Sequence, residues 1–334
     1  MTYKSIFKGR LEFGSTKSYD KVLKMFQHRV ENYYKSDILL KEEEIFDESS
    51  TSLNVPRYIT QGSEKSWKNT LSLLEYIAQF AVAGEFGAWM TNEGKIMHHG
   101  TVEPRSDRVA VQAYLRGREL LEEEGKESEA IDALNQAIAK YERHAHAYER
   151  RGHVNFVLRN YKDALYDFDK SISLAPNNSA AYLGRAKTKH ILEDFEGAIL
   201  DFEKAIKTSI PLQPIYWKAR RLKGFLHLKR GEQQKALTEF KLYSRRAFRK
   251  DDSNYYWSRL VYAKYAMLLF ELENYSDALE AFDKALAVEE GYEISEDKLW
   301  LYRGYTAQKL KKKGFRKDWE KAATLGNVEA QKLV

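Results

Sequence analysis

His146, Glu149 and His153 stand at i, i+3 and i+7, so on a helix their side chains share one face, and His190 lies on a later segment. That residue set has the composition of a transition-metal site. The competing reading is a polar helix face turned toward a partner, and it carries the expectation that neither a metal nor a cofactor is held. His98 and His99 are adjacent. On a strand, neighbouring side chains point to opposite faces, so these two rings are not expected to share an ion. Nucleophilic chemistry finds no foothold. There is no G-x-S-x-G elbow, no G-x-x-x-x-G-K-[ST] phosphate cradle and no G-x-G-x-x-G turn. Without cysteine there is also no thiolate ligand, disulfide or Cys nucleophile. The expectation is a chain that is not an enzyme and has no catalytic residues.

Charge supplies the next candidate chemistry. The 334 residues carry a formal net charge of +6. Residues 1–108 hold 15 basic and 15 acidic side chains, so the whole excess lies beyond Arg108. Within 211–264 stand 14 basic and 4 acidic side chains, interleaved with Trp217, Phe225, Tyr243, Phe248, Tyr255 and Trp257. Such a mixture could neutralise phosphates and stack bases, which makes nucleic acid an alternative partner. Most of these aromatics, however, recur at apolar helix spacing and belong in a core. An acidic protein or peptide is the leading expectation, on Coulombic grounds. The Glu42–Glu44 and Glu122–Glu124 runs read as solvated edges. Neither a signal-peptide core nor an apolar run of about 18 residues is present, so a cytoplasmic chain away from the membrane is expected.

The elements that must position these residues are repeated. NYKDALYDFDKSISLAP (160–176) laid over DFEGAILDFEKAIKTSI (194–210) matches Ala164 with Ala198, Asp167 with Asp201, Phe168 with Phe202 and Ile172 with Ile206, all at an offset of 34. Further copies carry Ala130, Leu134 and Ala137, then Ala236 and Phe240, then Ala278, Phe282 and Ala285. A last copy places Asp318, Trp319 and Ala322 in the same frame. Ahead of each lies a segment with a small residue: Gly117, Gly152, Ala186, Gly224, Ala266 and Gly304. These residues resemble the tetratricopeptide repeat family over about 110–326. The resemblance implies about six helix-turn-helix units forming a right-handed α-α superhelix, mainly α, with small residues where the helices cross. The physics agrees, because neither helix of a unit can bury its apolar stripe alone. The polar stretch after Gly326 is expected to cap the array as a C-terminal helix.

Basic residues directly before the small ones recur with acids 15 or 16 positions later. Helix-to-helix pairs are expected between Arg151 and Asp167, Arg185 and Asp201, Lys223 and Glu239, and Arg303 and Asp318.

Members of this family bind partners in a concave groove lined by the first helices. Carried over residue by residue, the groove comprises Tyr114 and Arg118, then His146, Glu149 and His153, then Leu183, Lys187 and His190. It continues through Lys218, Arg221, Phe225 and Lys229, then Ala263 and Met267, and ends at Leu301 and Tyr305. The resemblance thus implies a non-enzymatic scaffold that takes a peptide or protein in this groove. The clamp by which one subfamily holds chaperone tails needs Lys and Asn residues. Tyr114, Arg118, Arg150, Ala180 and Gly184 stand in their places, so that ligand is not supported.

Residues 1–104 follow a different pattern. YKSIFKGRLEF alternates Tyr3, Phe7, Leu11 and Phe13 with Lys8, Arg10 and Glu12, the period of a half-buried strand. Ser18 fits a helix N-cap, and Val22, Phe26 and Val30 follow at helical spacing. ILLKEEEIF and SLNVPRYIT read as a strand pair, and SWKNTLSLLEYIAQF as an amphipathic helix. GEFGAWM and KIMHHGTVE flank a hairpin turn at Thr91-Asn92-Glu93-Gly94. The β-α-β-β-α-β-β order predicts a small α+β domain with helices on one face, a ferredoxin-like sandwich among the candidates. VEPRSDR reads as the junction to an array spanning 105–334.

Overall fold

The computed structural model describes residues 2–292 and 294–334. They fall into two compact units, Met1–Leu192 and Glu193–Val334.

The first unit opens with strand β1 (Tyr3–Glu12) and helix α1 (Thr16–His28), continued by a π turn at Arg29–Tyr33. A one-turn helix α2 (Glu42–Ile45) leads into β2 (Phe46–Asp47), β3 (Ser52–Gly62), helix α3 (Glu64–Ala78) and the hairpin β4 (Ala83–Asn92) and β5 (Lys95–Val102). The strands lie in the order β2-β3-β1-β4-β5, every neighbouring pair antiparallel. A split βαβ unit needs a parallel pair, so the ferredoxin-like expectation is corrected. ILLKEEEIF also departs from expectation. Its three glutamates occupy the first turn of α2, where the helix dipole favours anions, and only two residues remain as strand. The first helix is capped by Ser15, whose Oγ accepts the Ser18 N–H at 3.2 Å, so Ser18 lies inside the helix it was expected to start. The hairpin closes through Glu93 and Gly94, at φ 47° and 79°, a two-residue turn of the left-handed kind that suits the strand twist. Phe7, Leu11 and Phe13 of the β1 segment pack with Val22, Phe26, Leu74, Ile77, Phe86 and Met90 in one core against α1 and α3.

Helix pairs follow. The first unit contains α4 (Val109–Leu120) with α5 (Glu127–Lys140), α6 (Ala145–Val157) with α7 (Tyr161–Leu174), and α8 (Ser179–Ile191). The second contains α9 (Phe195–Thr208), α10 (Pro214–Lys229) with α11 (Gln233–Ser244), α12 (Tyr255–Glu271) with α13 (Tyr275–Leu286), and α14 (Glu296–Lys309) with α15 (Phe315–Thr324). Helix α10 starts at Pro214, whose missing N–H costs nothing in a first turn. After Gly326 the chain forms a 3-10 turn at Ala330–Lys332, with Ala330 buried beside Leu301, Trp319 and Ala322.

At Gly117, Gly152, Gly224 and Gly304 the crossing sets a small residue against a large one. A Cβ added at Gly224 would lie 2.5 Å from Phe240 Cε1, one at Gly117 2.8 Å from Leu134 Cγ, and one at Gly152 3.0 Å from Phe168 Cε1. Phe168, Phe202, Phe240 and Phe282 are fully buried. The tight turn between paired helices repeats a left-handed residue at Arg159, Gly231, Glu273 and Lys311, with φ between 52° and 74°. Three expected ion pairs are present: Arg151–Asp167 at 2.6 Å, Lys223–Glu239 at 2.8 Å and Arg303–Asp318 at 2.5 Å. Arg185 meets Asp169 at 2.6 Å.

Candidate interaction surface

In the first unit, α6 packs on β4, so the sheet lies against the row of first helices. Tyr114 on α4 and Glu149 on α6 are 8% and 5% exposed. His146 is half-buried on the same helix. Burial is the first cause acting on all three, and Arg150 of α6 and Glu85 of β4 are charged neighbours of each. It pushes the Tyr114 hydroxyl up to about 12 and raises the Glu149 carboxyl, whose compensating cation is Arg150 at 3.4 Å. Arg118 is also engaged from this side, held by Glu103 just beyond β5 through contacts of 2.5 and 3.2 Å. Tyr141 donates to Glu12 of β1 at 2.9 Å. Tyr114, Arg118, His146 and Glu149 of the predicted binding row are therefore engaged from the sheet side.

The sheet face involved is the one turned away from α1 and α3. Ile6 and Trp89 lie on it, 6% and 5% exposed, where the period-two pattern had left a polar solvent face. This correction had a sequence signal: two apolar residues among Lys8, Arg10 and Glu85. His98 and His99 diverge as expected, His98 against Trp67 at 5.7 Å and Glu64 at 3.3 Å, His99 against Trp89 at 5.1 Å.

His153 stands exposed on α6, and Lys187 and His190 are half-buried on α8. The Lys187 ammonium sits over the Phe156 ring at 4.3 Å. Among the described residues no group of three or more His, Asp or Glu side chains is placed to hold a metal ion.

In the second unit, α10 presents Lys218 and Lys229 to solvent, with Phe225 half-buried against Phe240 at 5.2 Å. Arg221 is 4% exposed and lies 4.0 Å over the Trp257 ring of α12. Tyr305 on α14 is drawn into the end of the array, donating to Glu329 at 2.6 Å and packing on Trp319.

Partners divide the cationic stretch. Of its 14 basic residues, seven meet carboxylates: Arg220, Lys223, Arg230, Lys235, Arg249, Lys250 and Arg259. The other seven, Lys218, Arg221, Lys229, Lys241, Arg245, Arg246 and Lys264, meet none among the described residues. The aromatics are mostly core. Trp217 and Tyr243 are buried in one cluster with Phe240 and Phe282, and Phe225, Phe248 and Tyr255 pack against it. Trp257 lies outside that cluster, stacked on Tyr292 at 5.0 Å. No described helix is long and apolar enough to cross a membrane.

Residues 114–179 match the family model described as a tetratricopeptide repeat. No curated protein matches the chain. Among solved structures, the pilF protein of Pseudomonas aeruginosa is similar at 16% identity and a TM-score of 0.51, covering 68% of this chain and 97% of its own. YrrB, described as a tetratricopeptide repeat protein with an unusual peptide-binding site, has 16% identity and a TM-score of 0.48 over 59% of this chain and 93% of its own. A tetratricopeptide repeat protein from Parabacteroides merdae spans 95% of this chain and 97% of its own at 15% identity and a TM-score of 0.41. The matched segment makes residues 114–179 a tetratricopeptide repeat, and the small-against-large crossings and left-handed turns of that segment recur in the helix pairs around it.

Proposed function

We propose that this protein is a non-enzymatic cytoplasmic scaffold that binds an acidic peptide or protein along the first-helix row of its second unit. A tetratricopeptide fold suits protein interaction in general, and fold alone names no partner. The observation that carries the finer reading is the contrast between the two rows. Tyr114, Arg118, His146 and Glu149 are engaged by the chain's own sheet side, whereas Lys218 and Lys229 on α10 are exposed and lack carboxylate partners among the described residues. A preformed helical surface binds with little ordering cost, and unpaired cations favour and steer acidic partners.

Crosslinking of the full chain in native lysate, with and without nuclease, tests the proposal. The expected result is a protein whose acidic segment crosslinks near Lys218 and Lys229, is recovered after nuclease, and is lost from the double variant Lys218→Glu, Lys229→Glu. Undiminished recovery by that variant overturns the binding row. Loss of all recovery on nuclease treatment replaces the protein partner with nucleic acid.

A further inference from the structure

The least compensated charge in the second unit is Arg221. Its side chain is 4% exposed, its Nε is buried with no hydrogen-bond partner, and no described residue forms an ion pair with it. Other arginines with an orphaned Nε are satisfied elsewhere: Arg150 lies beside Glu149, Arg220 reaches Glu239 at 2.7 Å and Arg259 reaches Glu296 at 3.1 Å. Arg246 also has only rings beside it, over Trp217 and Phe248, but it is half-buried rather than buried, on the connection after α11.

Trp257 meets only part of what a buried guanidinium requires. The guanidinium carbon lies 4.0 Å over the ring centroid, whereas the five N–H donors radiate in the guanidinium plane and need acceptors around its edge. Lys218, one helical turn earlier, adds a second cation. Partial desolvation against its neighbours lowers its pKa although the residue is exposed, and the Arg221 charge lowers it further, so the two cations repel. Burial also pushes Arg221 down to about 10, which leaves it charged at neutral pH. Removing an ion from water without a paired counter-charge is strongly unfavourable. A carboxylate is the group that satisfies the guanidinium edge with two parallel hydrogen bonds and offsets both cations.

We propose that Arg221, backed by Trp257 and flanked by Lys218, is an anchor for one side-chain carboxylate of an acidic peptide. This site rests on the acidic-partner reading above and sharpens it to one residue. Lys218 and Lys229 supply diffuse attraction, and Arg221 supplies the directional contact.

The test uses the full chain and two fluorescein-labelled probes, a hexaglutamate and a hexaglutamine peptide, followed by anisotropy, with melting of the free protein measured in parallel. The wild type is expected to bind hexaglutamate and not hexaglutamine. Arg221→Leu is expected to weaken hexaglutamate binding at least tenfold while leaving the melting temperature of the free protein unchanged or raised, since an uncompensated buried charge has gone. Arg221→Lys keeps the charge but not the fork, and is expected to fall between the two. Equal hexaglutamate binding by wild type and Arg221→Leu overturns the anchor and leaves the acidic-partner reading standing. A lowered melting temperature for free Arg221→Leu also overturns it, by making Arg221 a structural prop for Trp257. Absence of hexaglutamate binding to the wild type overturns both readings.

Discussion

Ile6 and Trp89 face each other across β1 and β4, both buried, on the side of the sheet that α1 and α3 leave bare. A five-stranded antiparallel sheet with helices on one side needs only one apolar face. Here the second face is covered as well, with α6 packed on β4 and Glu12 bonded to Tyr141. The sheet and the first helices are thus mutually stabilising parts of one compact unit. Trp89→Ala is expected to cost about 3–5 kcal/mol, the usual range for emptying a buried aromatic site. Hydrogen exchange should then show α4 and α6 losing protection together with β4. Loss confined to β4 would mean that the sheet stands independently of the helices.

His144 gives the same unit an acid sensitivity. Its Nδ1 accepts the Ala147 N–H at 3.2 Å, so the proton of the neutral ring sits on Nε2. Burial, with the neighbouring His146 adding to it, pushes its pKa down to about 3 from the ordinary 6.5. A depressed histidine favours folding fully above 6.5, and that contribution drains away as the pH falls from 6.5 toward about 3. In that window the residue adds about 1.4 kcal/mol of stability loss per pH unit. His144→Asn keeps a capping side chain and removes the titration. Urea midpoints between pH 7 and 4 should fall less steeply for the variant, and parallel curves would refute the assignment.

The array was legible in the sequence because its core repeats in register. Phe168 and Phe202 sit 34 residues apart, and Gly117, Gly152, Gly224 and Gly304 each meet a large residue on their own partner helix, so local spacing encodes the contact. The pairs Arg151–Asp167 and Arg303–Asp318 were legible for the same reason. The covering of Tyr114 and Glu149 was not, because its partner strand lies outside the repeat and its polar residues read as solvent-facing. The state of the basic stretch was hidden too. Arg230 finds Glu196 and Lys250 finds Glu289 across 34 and 39 residues, so a charge count cannot separate paired cations from Arg221.

Gly224 tests whether the crossing geometry outweighs helix propensity. Alanine in a helix interior gains about 1 kcal/mol over glycine. Its Cβ would stand 2.5 Å from Phe240 Cε1, and Phe240 is fully buried. Overpacking of this kind costs about 1–3 kcal/mol, and a ring inside a close-packed core puts it at the upper end. Gly224→Ala is therefore expected to lower stability by about 1–2 kcal/mol net in chemical denaturation. A stabilised variant would show that α10 and α11 can separate freely.

Asp167 joins the helices of its unit by charge as well as by packing. Its carboxylate is 1% exposed and accepts from Arg151 through Nε at 3.0 Å and Nη2 at 2.6 Å, and from Asn155 at 3.1 Å. Burial raises its pKa, with Arg151 and then Asn155 pulling it back, so desolvation offsets part of the pair's attraction. Removing one partner is a different matter from removing both, because Arg151 and Asn155 would keep donors with nothing to receive them. Asp167→Ala is expected to cost about 1.5–3 kcal/mol. Adding Arg151→Met should recover part of that loss, so the double-mutant cycle has a positive coupling energy measurable by urea denaturation. Strict additivity would show that the carboxylate matters only for its packing.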